Sequence, residues 1–581
     1  MTLLLDGGRI LLEYWRSLLP LVVAVLGFGG LGVSLLPGAT AGRKWLAFPL
    51  SLGTGLILLT LLTYLLFLAS LAWRGVLAVG AYAILLAGAI CFVLSLRRGE
   101  WRAAIGLGLP ALLLVLSAHL AFVSKLNLPP YSDAPTHYLI VLNLLDPSSR
   151  PDALYSFGSL FQHYYHFGVH CLTAWAVLTS QETSPLLLAV IGQFVLSLVP
   201  FSVFALAGML IEGAPPAASR SAAWAAALVS LIGWWMPAFA ANWAKYPTLA
   251  GLAALPAPLA YLLAVGESAG KRAYLIFTGL LIVGVILLHS RTSLLIGLVL
   301  AGYLLARLAA RRLPNVPLPA AAAILLTGAL AYLGWLHPDL SGFYTQGWPL
   351  LAFIAVLVPF AAAAFPEAAV GTLLPAAGMM LLTTLPAPRL LSGQSFPLID
   401  RPFVQTALYL PLAVLAGLGI AGLARQQTRT RVMSVLPGAL LALLLIVGMP
   451  PVGAYYPDSC CAYASRDDLR ALEWLQLKAS PQARIVIAGL QTGTRLVETD
   501  AGAWVHAMTG LDTAKRSYNS TLYDPSFIQG VCQGGRDVYL YAGGGPMSFE
   551  ISPLPAIVAD YSVAYSSGAT SILFARACAQ R

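Results

Sequence analysis

Long uninterrupted runs of apolar residues are the feature of this chain that most limits its fold. About fourteen runs approach the roughly 20 residues that an α-helix needs to cross a bilayer, among them residues 17–37, 221–241 and 434–451. Apolar residues make up 59% of the 581-residue chain and charged residues only 10%, far from the composition of soluble domains. The sequence therefore predicts a polytopic α-helical membrane protein with about fourteen transmembrane helices.

Changes in composition divide the chain into four parts. Residues 1–124 hold the first four predicted spans, residues 125–185 form a long loop with surface helices, and residues 186–452 form the helical core. Residues 453–581 have mixed polar sequence, in which "DLRALEWLQLK" is typical of an amphipathic helix. The runs "ARIVIAG", "DVYLYAGG" and "ATSILFA" are typical of short buried strands. We therefore expect a soluble α/β domain at the C-terminus.

The distribution of basic residues predicts the orientation. Lys and Arg gather in alternate loops, for example at Arg97, Arg98 and Arg102 and again at residues 425–431. Because cytoplasmic loops collect basic residues, the loop at 125–185 and the C-terminal domain are expected on the extracytoplasmic side. This topology accounts for the net charge of +10 and gives no reason to expect a nucleic-acid partner.

Four of the six cysteines fall in the C-terminal domain, at Cys460, Cys461, Cys532 and Cys578. Disulfides persist in oxidising compartments, so we expect Cys532 to pair with either Cys460 or Cys461. The chain has no CxxC zinc spacing, phosphate-binding loop of the GxxxxGK type or dinucleotide fingerprint. Nucleotide-driven transport is therefore not supported.

The stretch "SDAPTHYLIVLNLL" places an acid, Asp133, and a histidine, His137, between very apolar segments. Pro135 predicts the first turn of a helix with Asp133 at its N-cap, and the ten residues "THYLIVLNLL" are too few to cross a bilayer. We expect a helix at the membrane surface. Asp133 is then either a plain helix cap or an acid that faces the lipid head groups, where a lipid-linked substrate presents its polar end.

Two further groups of polar residues are candidates for a site. His163, His166 and His170 have helical i, i+3, i+7 spacing and could ligate a metal, although histidines are also common at membrane interfaces. Basic groups also stand at predicted outer helix ends, where a charge in the membrane usually has a function unless it snorkels to the interface. Together they could bind a phosphate: Lys245, His289, Arg291 and Arg401.

These motifs resemble the membrane glycosyltransferases of the GT-C fold. The segment "DAPTHYLIVLNLLDP" is similar to that family's Asp-x-x-x-His and surface helix, and "YYHFGVHCLTAWAVLTS" to the stretch that follows it. The segments "SRDDLRALEWLQLKASPQARIVI" and "ETDAGAWVHAMTG" resemble parts of the family's outer domain. The resemblance covers residues 110–581. This chain departs from the family in one respect, since four predicted spans precede the acidic loop, whereas many members of the family have only one span there.

The resemblance implies an integral enzyme of the prokaryotic cell membrane. It would move a sugar, with inversion, from a polyprenyl-phosphate donor to a glycan, lipid or protein acceptor. Asp133 would be the catalytic base with His137 beside it, and Lys245, His289, Arg291 and Arg401 would hold the donor phosphate. No cofactor is required, and the lack of an Asp-x-Asp in the loop argues against a metal-dependent mechanism.

Two alternatives remain from the sequence. A transporter or flippase of lipid-linked saccharides is expected to contain paired broken helices or internal repeats, and no clear repeat is found. A non-catalytic membrane assembly subunit needs no polar cluster. A through-going polar path would favour the first, and the absence of a cavity at Asp133 would favour the second.

Overall fold

The computed structural model describes most of the chain. The described residues are 2–40, 43–146, 165–211, 216–265, 270–313, 317–385, 398–426, 452–492, 495–518, 526, 530, 532, 536–549 and 560–579. The predicted span at 434–451 and the candidate ligand His163 lie outside them.

The first helices pack tightly through small residues. They are α1 (Thr2–Glu13), α2 (Trp15–Leu35), α3 (Ala47–Ser70), α4 (Val76–Leu96) and α5 (Gly99–Leu120). At the crossing of α2 and α3, Gly29 lies against the carbonyl of Ser51, and a Cβ built on Gly29 would come within 1.8 Å of that oxygen. Small residues let membrane helices approach to backbone contact, so these two helices require glycine at their crossing.

Two short helices precede the helical core. They are α6 (Asp133–Leu145) and α7 (Gly168–Ser180). The core then contains α8 (Leu186–Leu210), α9 (Pro216–Ile232), α10 (Tyr246–Ala254), α11 (Pro256–Ala264), α12 (Lys271–Leu288), α13 (Ser290–Arg312), α14 (Leu318–Leu336), α15 (Pro338–Thr345), α16 (Trp348–Ala364), α17 (Pro366–Thr384), α18 (Arg401–Ala407) and α19 (Tyr409–Gln426).

Within the described residues, 11 helices are long and apolar enough to cross a membrane, or 12 if the bent pair α15 and α16 forms one span. This confirms a polytopic membrane protein, whereas the count of about fourteen is not confirmed. The predicted span at 221–241 is not among these 11 helices and is not confirmed, since α9 has 17 residues and ends at Ile232. The chain continues through the cis Met236-Pro237 bond into a 3₁₀ helix at Ala238–Trp243.

Burial separates the central helices from the outer ones, although both are apolar. Nearly every residue of α8 is buried, whereas α14 exposes large side chains such as Leu325 and Trp335. In a bilayer the lipid tails are as apolar as a protein core, so an exposed apolar surface is expected on the outer helices. Hydropathy alone therefore finds the spans but not their position in the bundle.

The C-terminal residues form the predicted α/β domain. Helix α20 (Arg466–Lys478) begins with a capping box, in which Ser465 accepts a hydrogen bond from the Asp468 N–H and the Asp468 carboxylate accepts one from the Ser465 N–H. Short helices α21 (Val505–Thr509) and α22 (Arg576–Ala579) flank the sheet. Among the described residues its strands are β1 (Arg484–Thr492), β2 (Arg495–Glu498), β3 (Asp512–Ser517), β4 (Val538–Ala542), β5 (Tyr561–Ser567) and β6 (Thr570–Ala575).

The sheet is mixed, with strand order β2-β1-β4-β6-β5 and with β3 paired to β1. Strand β1 runs parallel to β3 and β4, and the other pairs are antiparallel. Strand β4 is completely buried, as expected for the centre of a sheet that is covered on both faces.

The predicted disulfide between Cys532 and either Cys460 or Cys461 is wrong. Cys532 pairs with Cys578, with their Cα atoms 5.3 Å apart, and packs with Val538 against one face of the sheet. Cys460 instead pairs with its neighbour Cys461. The reason is spatial, because the two adjacent cysteines lie in the segment that joins the helices to the C-terminal domain and Cys532 lies within that domain.

The C-terminal domain packs directly on α6 and the residues before it. Asn127 Nδ2 donates to the carbonyl of Ala464 at 2.9 Å, and the Tyr131 N–H donates to the carbonyl of Cys461 at 2.8 Å. The rings of Tyr138 and Trp504 lie 5.9 Å apart. The domain therefore covers the end of the bundle at which Asp133 is located.

Candidate functional site

Asp133 begins helix α6, but its side chain does not cap that helix. Ser132 occupies the N-cap position, and no side-chain capping hydrogen bond forms there. The Asp133 carboxylate instead makes an ion pair with Lys245, with Oδ2 and Nζ 2.5 Å apart. The structure therefore does not support the interpretation of Asp133 as a plain helix cap.

Lys245 reaches Asp133 from the turn between two short helices. The 3₁₀ helix Ala238–Trp243 ends at Ala244, whose φ of +50° is left-handed, a conformation that costs an L-residue about 1–2 kcal/mol. Helix α10 begins immediately after Lys245, with Pro247 in its first turn. The backbone therefore holds Lys245 at a sharp bend, and such strained positions often mark functional sites.

A second ion pair joins α13 to the start of α18. Arg291 Nη1 lies 2.9 Å from Asp400 Oδ2. Asp400 is the N-cap of α18, and its Oδ1 accepts a hydrogen bond from the Phe403 N–H at 3.0 Å. One carboxylate thus fixes both the helix start and the guanidinium.

Both ion pairs line one cavity of about 390 Å³, within the size range of small-molecule sites. Lys245 and Arg291 balance Asp133 and Asp400, so the four charges sum to zero. Polar and aromatic side chains and two prolines complete the described part of the wall: Thr136, His137, Tyr165, His166, Pro247, Thr248, His289, Pro402 and Phe403.

The cavity histidines act as neutral groups. His137 Nδ1 lies 2.8 Å from His170 Nε2 and 3.4 Å from the Tyr165 hydroxyl. Burial lowers the pKa of His137 to about 4 and lowers the pKa of His166 well below its ordinary value. Both rings are therefore uncharged near pH 7, so they can donate or accept hydrogen bonds but do not add positive charge.

The predicted phosphate-binding residues are brought together only in part. Lys245, His289 and Arg291 line the cavity. Both ring nitrogens of His289 are already in contact with threonine hydroxyls, at 3.2 Å to Thr248 and 3.1 Å to Thr292. Arg401 is mostly exposed and pairs with Asp339 at 3.1 Å, so the structure does not bring it into the cavity, although its chain neighbours line the wall.

Metal ligation by His163, His166 and His170 was one alternative from the sequence, and His163 lies outside the described residues. Among the described residues, no group of three His, Cys, Asp or Glu side chains could hold a metal. The i, i+3, i+7 spacing places the three histidines on one face only if one helix runs through all of them, but α7 begins at Gly168. His166 consequently lies before the helix and packs against His289, with ring centroids 4.9 Å apart, whereas His170 contacts His137.

Sequence reasoning missed the role of Asp400. Asp400 stands next to Arg401 in the sequence, and the following "RP" is a typical helix start that makes Asp400 a candidate N-cap. Its partner Arg291 lies more than a hundred residues earlier, so only the three-dimensional structure pairs them. Thr248 and Tyr165 carry no comparable sequence signal.

A second, apolar cavity of about 400 Å³ lies among α14, α15, α16, α17 and α19. Its wall includes Leu330, Leu373, Met380 and Leu412. The two cavities lie at opposite ends of α18, because Phe403 lines the polar cavity and Leu408, just after the helix, lines the apolar one. Seven residues of α-helix span roughly 10 Å, so the cavities are close neighbours.

The fold and the site define a polytopic helical membrane protein that has a charged cavity in its helical part and a mixed α/β domain packed on α6. No family model, curated protein or solved structure matches the chain. Any functional conclusion therefore rests on the residues of the cavity themselves.

Proposed function

We propose that this protein is a membrane glycosyltransferase that moves a sugar from a polyprenyl-phosphate donor to an acceptor hydroxyl, with inversion. The observation that carries the proposal is the placement of the Asp133 carboxylate in a cavity that also contains Lys245 and Arg291. A carboxylate can accept a proton, and two cations can stabilise a departing phosphate. These are the two tasks of the reaction.

In the proposed reaction, Asp133 takes the proton of the acceptor hydroxyl as that oxygen attacks the anomeric carbon. The bond between the anomeric carbon and the donor phosphate breaks, and the polyprenyl phosphate leaves with the bonding electrons. Arg291 is suited to bidentate contact with phosphate and Lys245 acts as a point charge. His137 supplies a neutral hydrogen-bonding group next to the base.

The apolar cavity supports a lipid-linked donor. A polyprenyl phosphate has an anionic head and a long hydrocarbon tail, and the charged and apolar cavities are separated by the length of α18 alone. The apolar wall offers methyl and methylene groups that gain free energy by excluding water from such a tail, at roughly 25 cal/mol per Å². The C-terminal domain packs against α6, whose first residue Asp133 lines the polar cavity, and a glycan, lipid or protein acceptor would approach beside it.

A flippase of lipid-linked saccharides is the second candidate. The observation in its favour is the pair α15 and α16, which bend by 97° at their junction, because broken helices are typical of transporters. A flippase moves its substrate between leaflets without breaking the bond to the phosphate, so the two candidates differ in their products.

The test compares Asp133→Asn with the wild type, using a panel of radiolabelled polyprenyl-phosphate sugars in reconstituted vesicles. Transfer should fall by at least about 100-fold when the base is removed, while the donor still binds. Asp339→Asn is the matched control, since it neutralises another ion-paired acid that does not line the cavity. It should retain activity.

Two outcomes would contradict the proposal. Near-normal transfer by folded Asp133→Asn would mean that Asp133 is not the base. Movement of intact donor between leaflets without transfer, in the wild-type protein, would instead favour the flippase.

A further inference from the structure

The adjacent cysteines Cys460 and Cys461 form a compact turn at the junction of the helices and the C-terminal domain. We call residues 458–462 the cystine turn. Asp458 closes it, because its carboxylate accepts a hydrogen bond from the Cys460 N–H at 2.8 Å and its carbonyl accepts one from the Cys461 N–H at 3.1 Å. The disulfide joins the two cysteines of this turn to each other.

One side of the cystine turn holds the residues that lead to Asp133. The carbonyl of Cys461 accepts a hydrogen bond from the Tyr131 N–H at 2.8 Å. Tyr131 has a left-handed φ of +67°, which is uncommon for a bulky residue and needs support from its surroundings. Because Tyr131 stands two residues before Asp133, this hydrogen bond helps to fix where α6 begins.

The other side of the cystine turn holds the residues that lead to Lys245. The Asp458 N–H donates to Asn242 Oδ1 at 2.8 Å. Asn242 is buried, with 1% of its surface exposed, and belongs to the 3₁₀ helix Ala238–Trp243 that ends just before Lys245. A single turn of chain is therefore hydrogen-bonded to both segments that carry the Asp133–Lys245 ion pair.

We propose that the cystine turn is a positioning element for the Asp133–Lys245 pair and that its reduction by a dithiol separates the pair. This inference goes beyond the proposed transferase and holds whatever chemistry the cavity performs. It requires only that the disulfide fixes the turn on which Tyr131 and Asn242 are both supported.

The reduction is a thiol–disulfide exchange with a dithiol as the reductant. Cys460 is partly exposed and Cys461 is buried, so a thiolate of the dithiol attacks the Cys460 sulfur and Cys461 leaves as a thiolate. The second thiol of the reductant then closes its own disulfide and releases Cys460. Two electrons pass to the protein, two cysteine thiols result after protonation, and the dithiol is oxidised to a cyclic disulfide.

The experiment measures the proximity of Asp133 and Lys245 directly. A water-soluble carbodiimide joins a carboxylate and an amine only when they are in contact, and mass spectrometry of the full-length protein quantifies the resulting amide. We expect dithiothreitol to lower the yield between Asp133 and Lys245 by about fivefold to tenfold, the shift expected from losing one backbone hydrogen bond. Reoxidation should restore the yield.

Matched controls separate positioning from general loosening. The ion pair of Lys515 and Glu498 lies in the C-terminal domain, and its carbodiimide yield should not respond to the reductant. The double variant Cys460→Ser/Cys461→Ser should give the low yield with or without dithiothreitol. The double variant Cys532→Ser/Cys578→Ser removes the other described disulfide and should keep the wild-type response.

Three results would overturn the inference. The first is an unchanged yield between Asp133 and Lys245 when mass spectrometry finds Cys460 and Cys461 reduced. The second is a response to reductant in Cys460→Ser/Cys461→Ser. The third is the finding of both cysteines as free thiols in protein isolated without reductant.

Discussion

A buried carboxyl group makes the stability of the C-terminal domain depend on pH. Asp500 has no exposed surface, and its carboxylate oxygens accept hydrogen bonds from the N–H groups of Gly502 and Gly543, at 2.8 and 3.2 Å. Burial raises the pKa of Asp500 from 3.8 to about 7, with the nearby Asp468 adding to the rise, although the two hydrogen bonds oppose it. Asp500 is therefore substantially protonated in the folded domain near neutral pH.

The direction of the pH effect follows from the raised pKa. Between pH 4 and pH 7 the unfolded chain has released the Asp500 proton while the folded domain retains it, so folding becomes less favourable as the pH rises. The contribution is complete below pH 4 and is lost as the pH passes 7. A shift of about three pKa units corresponds to about 4 kcal/mol, of which about 3 kcal/mol falls between pH 5 and pH 8.

The substitution Asp500→Asn should remove this pH dependence. Asparagine keeps one acceptor oxygen for Gly502, but its NH₂ group faces the N–H of Gly543, which costs about 1–3 kcal/mol at every pH. Hydrogen exchange of the β1 and β4 amides in the full-length protein, corrected for intrinsic rates, measures the free energy of opening. The wild type should lose about 100-fold more protection than the variant between pH 5 and pH 8.

The test depends on the difference in hydrogen-exchange protection between the wild type and Asp500→Asn, and not on the pH profile of the wild type alone. Other carboxylates of the domain titrate in both proteins and cancel in the difference. If wild type and Asp500→Asn lose protection in parallel between pH 5 and pH 8, Asp500 does not carry the raised pKa and the reasoning from its burial fails.

Two further predictions concern the donor site and the topology. Arg291→Ala should weaken binding of a polyprenyl phosphate by about 10-fold to 100-fold, because the phosphate loses a charge-assisted partner. Arg401 lies outside the cavity, so Arg401→Ala should leave binding unchanged in the same titration. Equal effects of the two substitutions would contradict the placement of Arg291 in the donor site. In intact cells, an impermeant maleimide should label Leu477→Cys and should label Arg102→Cys only after permeabilisation, and the reverse pattern would refute the predicted orientation.

The sequence predicted those parts of the fold that depend on local pattern. Apolar runs located most of the spans, the amphipathic pattern located α20, and short apolar runs located β1, β4 and β6. The span predicted at 221–241 has a different end in the structure, because hydropathy does not show where a helix ends inside apolar sequence. The chain leaves the helix at Gly233 and turns through Pro237, and every residue of that turn is still compatible with a membrane interior.

The site was predictable only as far as single residues could identify it. Asp133 and Lys245 were recognisable because charges are rare in such a chain, and the structure brings them into contact. Arg401 is also a charged residue in an apolar chain, but its side chain pairs with Asp339 outside the cavity. Successive residues of a helix point in different directions, so Arg401 does not face the same way as Asp400. The helical spacing of His166 and His170 did not predict their positions, because the helix begins only at Gly168, after His166.

The apolar cavity among α14 to α19 determines how the concentration of a hydrophobic ligand should be expressed for this protein. Its wall includes Trp335, which is exposed on an outer helix, and an apolar surface on an outer helix of a membrane protein is expected to face lipid. A hydrophobic molecule that binds there would then enter from the lipid. Its effective concentration is a mole fraction in the membrane. Detergent dilutes that mole fraction without altering the amount per volume, and apparent affinities measured in micelles will therefore vary with the ratio of detergent to lipid.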